Sequence, residues 1–436
     1  MRIAYITAGA AGMFCGSCLK DNTLVAALRQ AGQEAVLIPT YTPIRTDEAD
    51  VSLPRVFLGG INVYLEQKFA FFRHTPRWLD HLFNRRWLLR LASRFAARTP
   101  YRELGELTVS MLRGMDGNQA KEIAELAQWL AEEWQPDVVV LTNALLSGII
   151  PEIQRRTGAP VVVTLQGDDI FLDALLPEHR QECLPLIRSN CAEAAAFIAT
   201  SRYYADYMAE YLGLPRAKIA VIYPGIQVAG CSGARPARRE PPLTIGYFAR
   251  ICPEKGWHHL VEAYCLLRRK GRNLPALRLK VGGYLGAGDR DYFQEQMARL
   301  EQAGLAGEVE HVECPTHADK LRFLQSLDLF CVPTVYREPK GLYLLEAWAN
   351  GVPAVQPAHG AFPELLERSG GGVLVPPGQP EALADALAEL ILDPDRRQRL
   401  GQAAAAAVQD AFTAQRMAQD TLQLLERCRR VATLPS

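Results

Sequence analysis

The chain lacks a charge excess of either sign, since 48 Lys and Arg stand against 48 Asp and Glu. A balanced sequence makes no global field to gather nucleic acid, and no nucleic-acid partner is expected. No run of about 18 apolar residues occurs, which excludes a simple membrane-spanning helix. A disulfide or zinc framework is lacking too. The ten cysteines are scattered, with one Cys-x-x-Cys pair, Cys15-Gly-Ser-Cys18, whereas a zinc site needs about four ligands. Free thiols in a reducing cytoplasm are the expectation. The dinucleotide fingerprint Gly-x-Gly-x-x-Gly is absent: Gly9, Gly12 and Gly16 do not have that spacing. Nor does an Asp-x-Asp follow a strand to hold a phosphate-bound metal; Asp289-Arg-Asp291 has the spacing but falls at a helix start, where acids are ordinary. No metal or cofactor is therefore expected. The opening Met1-Arg-Ile-Ala-Tyr-Ile-Thr7 is too short for a signal peptide and reads as a first strand.

What is present is alternation. A length of 436 residues exceeds what one core usually serves, so two domains are expected. Strands are predicted at 3–7, 35–39, 137–142, 160–165, 196–200 and 219–223, and again at 243–248, 277–281, 309–313, 327–332, 354–356 and 373–375. Their apolar character is continuous rather than alternating, the mark of parallel strands buried on both faces. Between the two sets, 227–242 is rich in Gly, Ala, Arg and Pro and loses all periodicity. The first domain is accordingly placed at 1–232 and the second at 233–411, with 381–430 helical.

Chemistry concentrates in Glu338-Pro-Lys-Gly-Leu-Tyr-Leu-Leu-Glu346. A helix starting near Gly341 would carry Glu346 one turn inside and leave Glu338 in the loop before its N-terminus. Free N–H groups and the positive helix end suit a diphosphate; Glu338 suits sugar hydroxyls and Glu346 a ribose diol. Two carboxylates beside a diphosphate would repel it unless cations are supplied. Arg250 and Lys255, in Gly246-Tyr-Phe-Ala-Arg-Ile-Cys-Pro-Glu-Lys-Gly256, are the candidates, with a surface pairing to Glu254 as the plainer alternative.

Together these motifs resemble the family 4 glycosyltransferases, retaining enzymes of GT-B architecture. The likeness rests on Arg250-x4-Lys255-Gly256 after a strand, Glu338-x7-Glu346, Gly351-Val-Pro-Ala-Val-Gln-Pro357 with Gly360-x3-Glu364, and Gly372-Val-Leu-Val-Pro-Pro-Gly378. It implies an α/β fold of two Rossmann-like, doubly wound domains facing across a cleft, with the last helix, 412–430, crossing back to the first domain. Also implied is transfer of a sugar from a UDP- or GDP-linked donor to a glycan, lipid-linked or saccharide acceptor, without metal. Arg250 and Lys255 would stabilise the departing diphosphate and Glu338 would hold the sugar. Gly341 and Leu342 would offer backbone to phosphate, Glu346 would grip the ribose, and the loop at Cys314 would lie against the base. A non-transferring enzyme of the same architecture, an epimerase or phosphorylase, stays open, as does a binding relative that has lost transfer.

Three features of the first half bear on the other substrate. The glycine-rich turn holding Gly12 and Gly16 leads into a helix N-terminus able to approach a phosphate or sugar, or serves tight packing only. Thr164-Leu-Gln-Gly-Asp-Asp169 follows a strong strand where the family commonly has His-Gly-x-Asp, so Gln166 is a departure; glutamine cannot trade a proton near neutral pH. Asp168 and Asp169 either orient hydroxyls or cap the next helix. Val56-Phe-Leu-Gly-Gly-Ile-Asn-Val-Tyr64 looks like a strand of starch and glycogen synthases. The segment 71–103 then interleaves aromatic residues with eight arginines against two acids. It reads as a solvated helical face, an acceptor groove, or a surface for peripheral docking on anionic membrane.

Overall fold

Runs of Val, Ile and Leu that leave no polar position for solvent become central strands of two parallel sheets. The computed structural model describes residues 1–9, 14–68, 101–233, 241–269 and 274–433. Gly12, and the basic stretch 71–103 as far as residue 100, lie outside the described residues. The chain divides into two units, Met1–Tyr223 with Ala414–Ser436, and Pro224–Thr413.

In the first unit the strands are β1 (Arg2–Thr7), β2 (Glu34–Tyr41), β3 (Phe57–Gly59), β4 (Val138–Leu141), β5 (Val161–Leu165), β6 (Ala196–Ala199) and β7 (Ile219–Val221). They pair in parallel in the order β3-β2-β1-β4-β5-β6-β7. Strand order reverses between β1 and β4, so the carboxyl ends of β1, β4 and β5 surround a topological switch point, the place where open α/β sheets bind ligands. One face of this sheet is covered by the helix Gly16–Gln30 and by the terminal helix Ala414–Thr433, whose Met417 and Leu425 share a core with Val25, Leu28 and Tyr5. Each such leucine, wholly removed from water, contributes about 2 kcal/mol.

The expectation of a strand through Tyr64 needs correction. The strand stops at Gly59, and Gly60–Lys68 is helical. Val63 and Glu66, three apart, are both buried while Tyr64 between them is exposed, a helical rather than a two-residue period. Periodicity was too short there to separate the two readings.

The second unit repeats the plan with β8 (Leu243–Phe248), β9 (Leu277–Gly282), β10 (Val309–Val312), β11 (Leu329–Phe330), β12 (Ala354–Pro357) and β13 (Gly372–Val375). All pairs are parallel and the order is β10-β9-β8-β11-β12-β13. Its switch point falls between β8 and β11. The loops leaving those two strands carry Arg250 and Lys255 on one side and Glu338 on the other. Fold topology thus delivers the motif residues to the ligand-binding edge of the second sheet.

Candidate active site

Three loops of the second unit are locked together at that edge. Val335 N–H donates to the Glu254 carbonyl at 2.9 Å and Ala361 N–H to the Glu338 carbonyl at 2.8 Å. His359 Nε2 lies 2.9 Å from the Thr334 carbonyl. Two glycines permit this closeness. A Cβ on Gly360, at φ +61°, would stand 2.5 Å from the Glu338 carbonyl oxygen; one on Gly256, at φ +73°, would stand 1.8 Å from that of Pro333.

Held in this frame, Glu338 is buried at 3% exposure and accepts from five donors. Its Oε2 takes the Lys255 ammonium at 2.6 Å, the Tyr336 hydroxyl at 2.9 Å and the Tyr343 hydroxyl at 3.0 Å. Its Oε1 takes the backbone N–H groups of Lys340 and Gly341, both at 3.3 Å. Burial alone would raise this carboxyl, but the Lys255 ammonium and its hydrogen bond, joined by Lys340 and Tyr336, hold it down at about 2. Lys255 in turn donates to the Tyr336 hydroxyl and lies 4.8 Å from the ring centres of both Tyr336 and Tyr343.

Gly341 adopts φ +66° and directly precedes the helix Leu342–Ala349, so Leu342 opens the helix and its free N–H groups face the same edge. One turn in, Glu346 is paired with the buried Lys320 at 2.6 Å. Lys320 comes from the helix His317–Gln325, which Thr316 and Asp319 cap reciprocally. Cys314 precedes that cap with its thiol pushed up to about 11 by burial, which suits a packing group and not a nucleophile. Arg250 is exposed: its Nε meets the Cys252 sulfur at 3.1 Å and its guanidinium lies 3.5 Å from Glu254. The Glu254 pairing weighed as an alternative does occur, but an exposed pair at that distance is weak and leaves Arg250 free to engage a ligand.

The second constellation belongs to the first unit. Gln166 is buried at the end of β5, and its amide nitrogen donates to the Thr142 carbonyl and hydroxyl, both at 2.9 Å, and to Asp21 Oδ1 at 3.2 Å. Asp21 also accepts from Tyr5 at 2.7 Å and from Thr7 at 2.9 Å, joining the ends of β1, β4 and β5 at the switch point. The helix after Gln166 begins at Asp168 with Gly167 in the capping position, so neither aspartate is the cap. Asp168 bridges instead, accepting from Ala144 N–H at 2.6 Å and Gln166 N–H at 2.9 Å, and burial pushes its carboxyl up to about 6. Asp169, also raised by burial, takes the Tyr204 hydroxyl at 2.5 Å. Gly16 opens the helix Gly16–Gln30, with Cys15 as its capping residue. A hydrogen bond with Cys15, together with burial, holds the Cys18 thiol well above its ordinary value. All ten cysteines are free, and among the described residues no cluster of three His, Cys, Asp or Glu side chains is placed to hold a metal.

Sequence reasoning missed Tyr336, Tyr343 and Lys320 in the second unit and Asp21 and Thr142 in the first. For the tyrosines a signal existed, namely aromatic hydroxyls two before and five after Glu338 in an otherwise apolar motif. Asp21 gave none, because an acid one turn into a helix ordinarily faces solvent.

Two parallel doubly wound units with motif residues at a switch-point edge define a GT-B scaffold, and known proteins agree. Residues 234–407 match the family model described as glycosyl transferases group 1, and residues 22–225 match the glycosyl transferase 4-like domain. The chain belongs to this family of glycosyltransferases. It is 30% identical to a D-inositol 3-phosphate glycosyltransferase of Corynebacterium urealyticum over 51% of the chain and 53% of that protein, so the match spans about half of the relative's length. With glycogen synthase of Mycobacterium tuberculosis it shares 28% identity over 67% of the chain and 69% of that protein. Among solved structures, Anabaena Alr3699/HepE in complex with UDP superposes with a TM-score of 0.68 at 20% identity, covering 98% of this chain and 100% of that one. Sucrose-phosphate synthase of Thermosynechococcus elongatus gives 0.69 at 17% identity, covering 98% and 99%.

Proposed function

We propose that the protein is a retaining glycosyltransferase that moves a sugar from a nucleotide-diphosphate sugar to an acceptor hydroxyl on a glycan, a lipid or a saccharide, without a metal. The observation that carries this reading is the Lys255–Glu338 pair at the switch point of the second sheet, beside the free end of the helix Leu342–Ala349. Lys255 and Arg250 meet the diphosphate where charge develops as the glycosidic bond opens. Glu338 receives sugar hydroxyls through Oε1, whose two backbone bonds are long at 3.3 Å, and Glu346 receives the ribose. The complex of HepE with UDP-glucose supports a UDP-linked donor.

The proposed chemistry is a front-face displacement. The acceptor oxygen attacks the anomeric carbon as its bond to phosphate breaks, and the acceptor proton passes to the departing phosphate oxygen. Two observations favour this over an inverting or a covalent route. Gln166 cannot serve as the base that an inverting transfer needs, and Asp168 and Asp169 are both engaged within the protein, by backbone N–H groups and by the Tyr204 hydroxyl, which disfavours either as a nucleophile. The basic segment 71–103 is proposed as the place of acceptor or membrane contact; no helix among the described residues is long and apolar enough to cross a membrane. Proton NMR of fresh product tests the stereochemistry, with retained anomeric configuration expected in the presence of EDTA. An inverted product, or a magnesium or manganese requirement, overturns the reading.

A further inference from the structure

We infer that Tyr336 and Tyr343 are positioning residues that keep Glu338 fixed and hydrogen-bonded while Lys255 leaves it for the donor diphosphate. This rests on the second unit being the donor site.

The argument begins from saturation. Glu338 Oε2 already accepts three donors, and Lys255 lies 4.8 Å from two aromatic ring centres besides its bond to the carboxylate. In this arrangement the ammonium gives two of its three donors to Glu338 and Tyr336, and the carboxylate offsets much of its charge. A diphosphate gains from Lys255 only if the ammonium turns toward it and gives up part of its bond to Glu338. Because the two backbone N–H bonds serve Oε1, that exchange would strand the buried Oε2 at considerable cost if it had no other donors. The two phenol hydroxyls, at 2.9 and 3.0 Å, supply those donors.

The cage is stiff where it must be and soft where it must move. Tyr343 sits on the first turn of the helix Leu342–Ala349, with its ring packed 6.2 Å from Phe330 and 6.5 Å from Phe362. Tyr336 is on the loop held down by the Val335 and Ala361 backbone bonds. Lys255 has a flexible four-carbon stem and rotatable donors, and it is the member able to turn. The ring faces give its ammonium an electrostatic resting place that is weaker than a phosphate contact, so the turn is driven by ligand charge.

The test separates this role from mere packing. Tyr336→Phe and Tyr343→Phe keep the rings and remove one hydroxyl each. With UDP-glucose as donor, each is expected to lower kcat about tenfold, the size of a hydrogen bond to a charged group, while calorimetric affinity for UDP stays within about twofold. Unchanged kcat, or UDP affinity falling in step with it, overturns the proposal. A ligand-free arm makes the outcome independent of the donor reading. In a Lys255→Met background, which imitates the departed ammonium, the Glu338 carboxyl is followed by carbon NMR. Removing the two hydroxyls is expected to make it at least about tenfold easier to protonate; an unmoved titration overturns the clamp. If instead the parent protein neither binds UDP nor turns over a nucleotide sugar, the donor-site reading fails while the NMR arm still decides the clamp.

Discussion

Replacing Glu338 by glutamine removes the charge and keeps the shape, and the structure sets both the size and the pH dependence of the loss. The carboxyl is lowered from an ordinary value of 4.5 to about 2. That displacement corresponds to about 3 kcal/mol of stability at neutral pH. Because the folded value is depressed, the contribution is fully present above about pH 4.5 and disappears as pH falls through about 2. The glutamine variant lacks this term and also leaves the Lys255 ammonium half-buried opposite a neutral amide. A loss of about 3–5 kcal/mol is expected at pH 7, the usual consequence of removing one partner of a buried pair. Urea denaturation followed by tryptophan fluorescence includes the second unit, where Trp257 and Trp348 are fully buried, and replacing Trp129 and Trp134 of the first unit by Phe in parent and variant alike sharpens that signal. The stability gap between parent and variant should narrow steadily below pH 4.5, and adding Lys255→Met to Glu338→Gln should cost little more. A gap that stays constant down to pH 3 would refute the ion pair as its source.

Three further outcomes follow from the same geometry. Glu346→Ala, and Lys320→Met through its 2.6 Å bond to Glu346, should each weaken UDP binding by about tenfold or more in calorimetry, with unchanged affinity in both speaking against a ribose contact. Gly360→Ala should destabilise the second unit by about 3 kcal/mol, since a Cβ there meets backbone of Glu338 at 2.5 and 2.6 Å in a left-handed conformation; a shift below about 0.5 kcal/mol in denaturant melting would show the loop to be adaptable. Carbon NMR should find the Asp168 carboxyl titrating near 6, so that its neutral form contributes stability below the ordinary carboxyl value of 3.8 that is lost as pH rises through 6. A midpoint near 4 would count against that burial.

Much of this organisation is legible before any coordinates. The strand at 243–248 is bounded identically in sequence and structure, because Leu243–Phe248 is apolar between prolines and a charged loop. Helix ends announce themselves as well: Gly341, at φ +66°, is where the motif reading begins its helix, and the structure starts it one residue later. Illegible features are those that depend on contacts across long separations. That Lys255 finds Glu338, 83 residues away, follows from the parallel pairing of β8 with β11 at the sheet centre. That two tyrosine hydroxyls join them is a matter of side-chain direction, which residue spacing alone does not fix.

Gln166 shows how a departure from a family pattern acquires a local cause. Its amide nitrogen carries two hydrogens and stands within bonding distance of the Thr142 carbonyl, the Thr142 hydroxyl and Asp21. An imidazole nitrogen in the same place carries at most one hydrogen, so it could serve either the Thr142 carbonyl or Asp21 but not both, and one of these buried hydrogen bonds would be lost. Such a loss costs about 1–3 kcal/mol in a buried site. Glutamine is therefore matched to Asp21, which is itself matched to Tyr5 and Thr7 at the ends of the neighbouring strand. Segments far apart in sequence settle this one residue, and a change at Asp21 would reach Tyr5, Thr7, Thr142 and Gln166, all distant in the chain, as well as its neighbour Lys20.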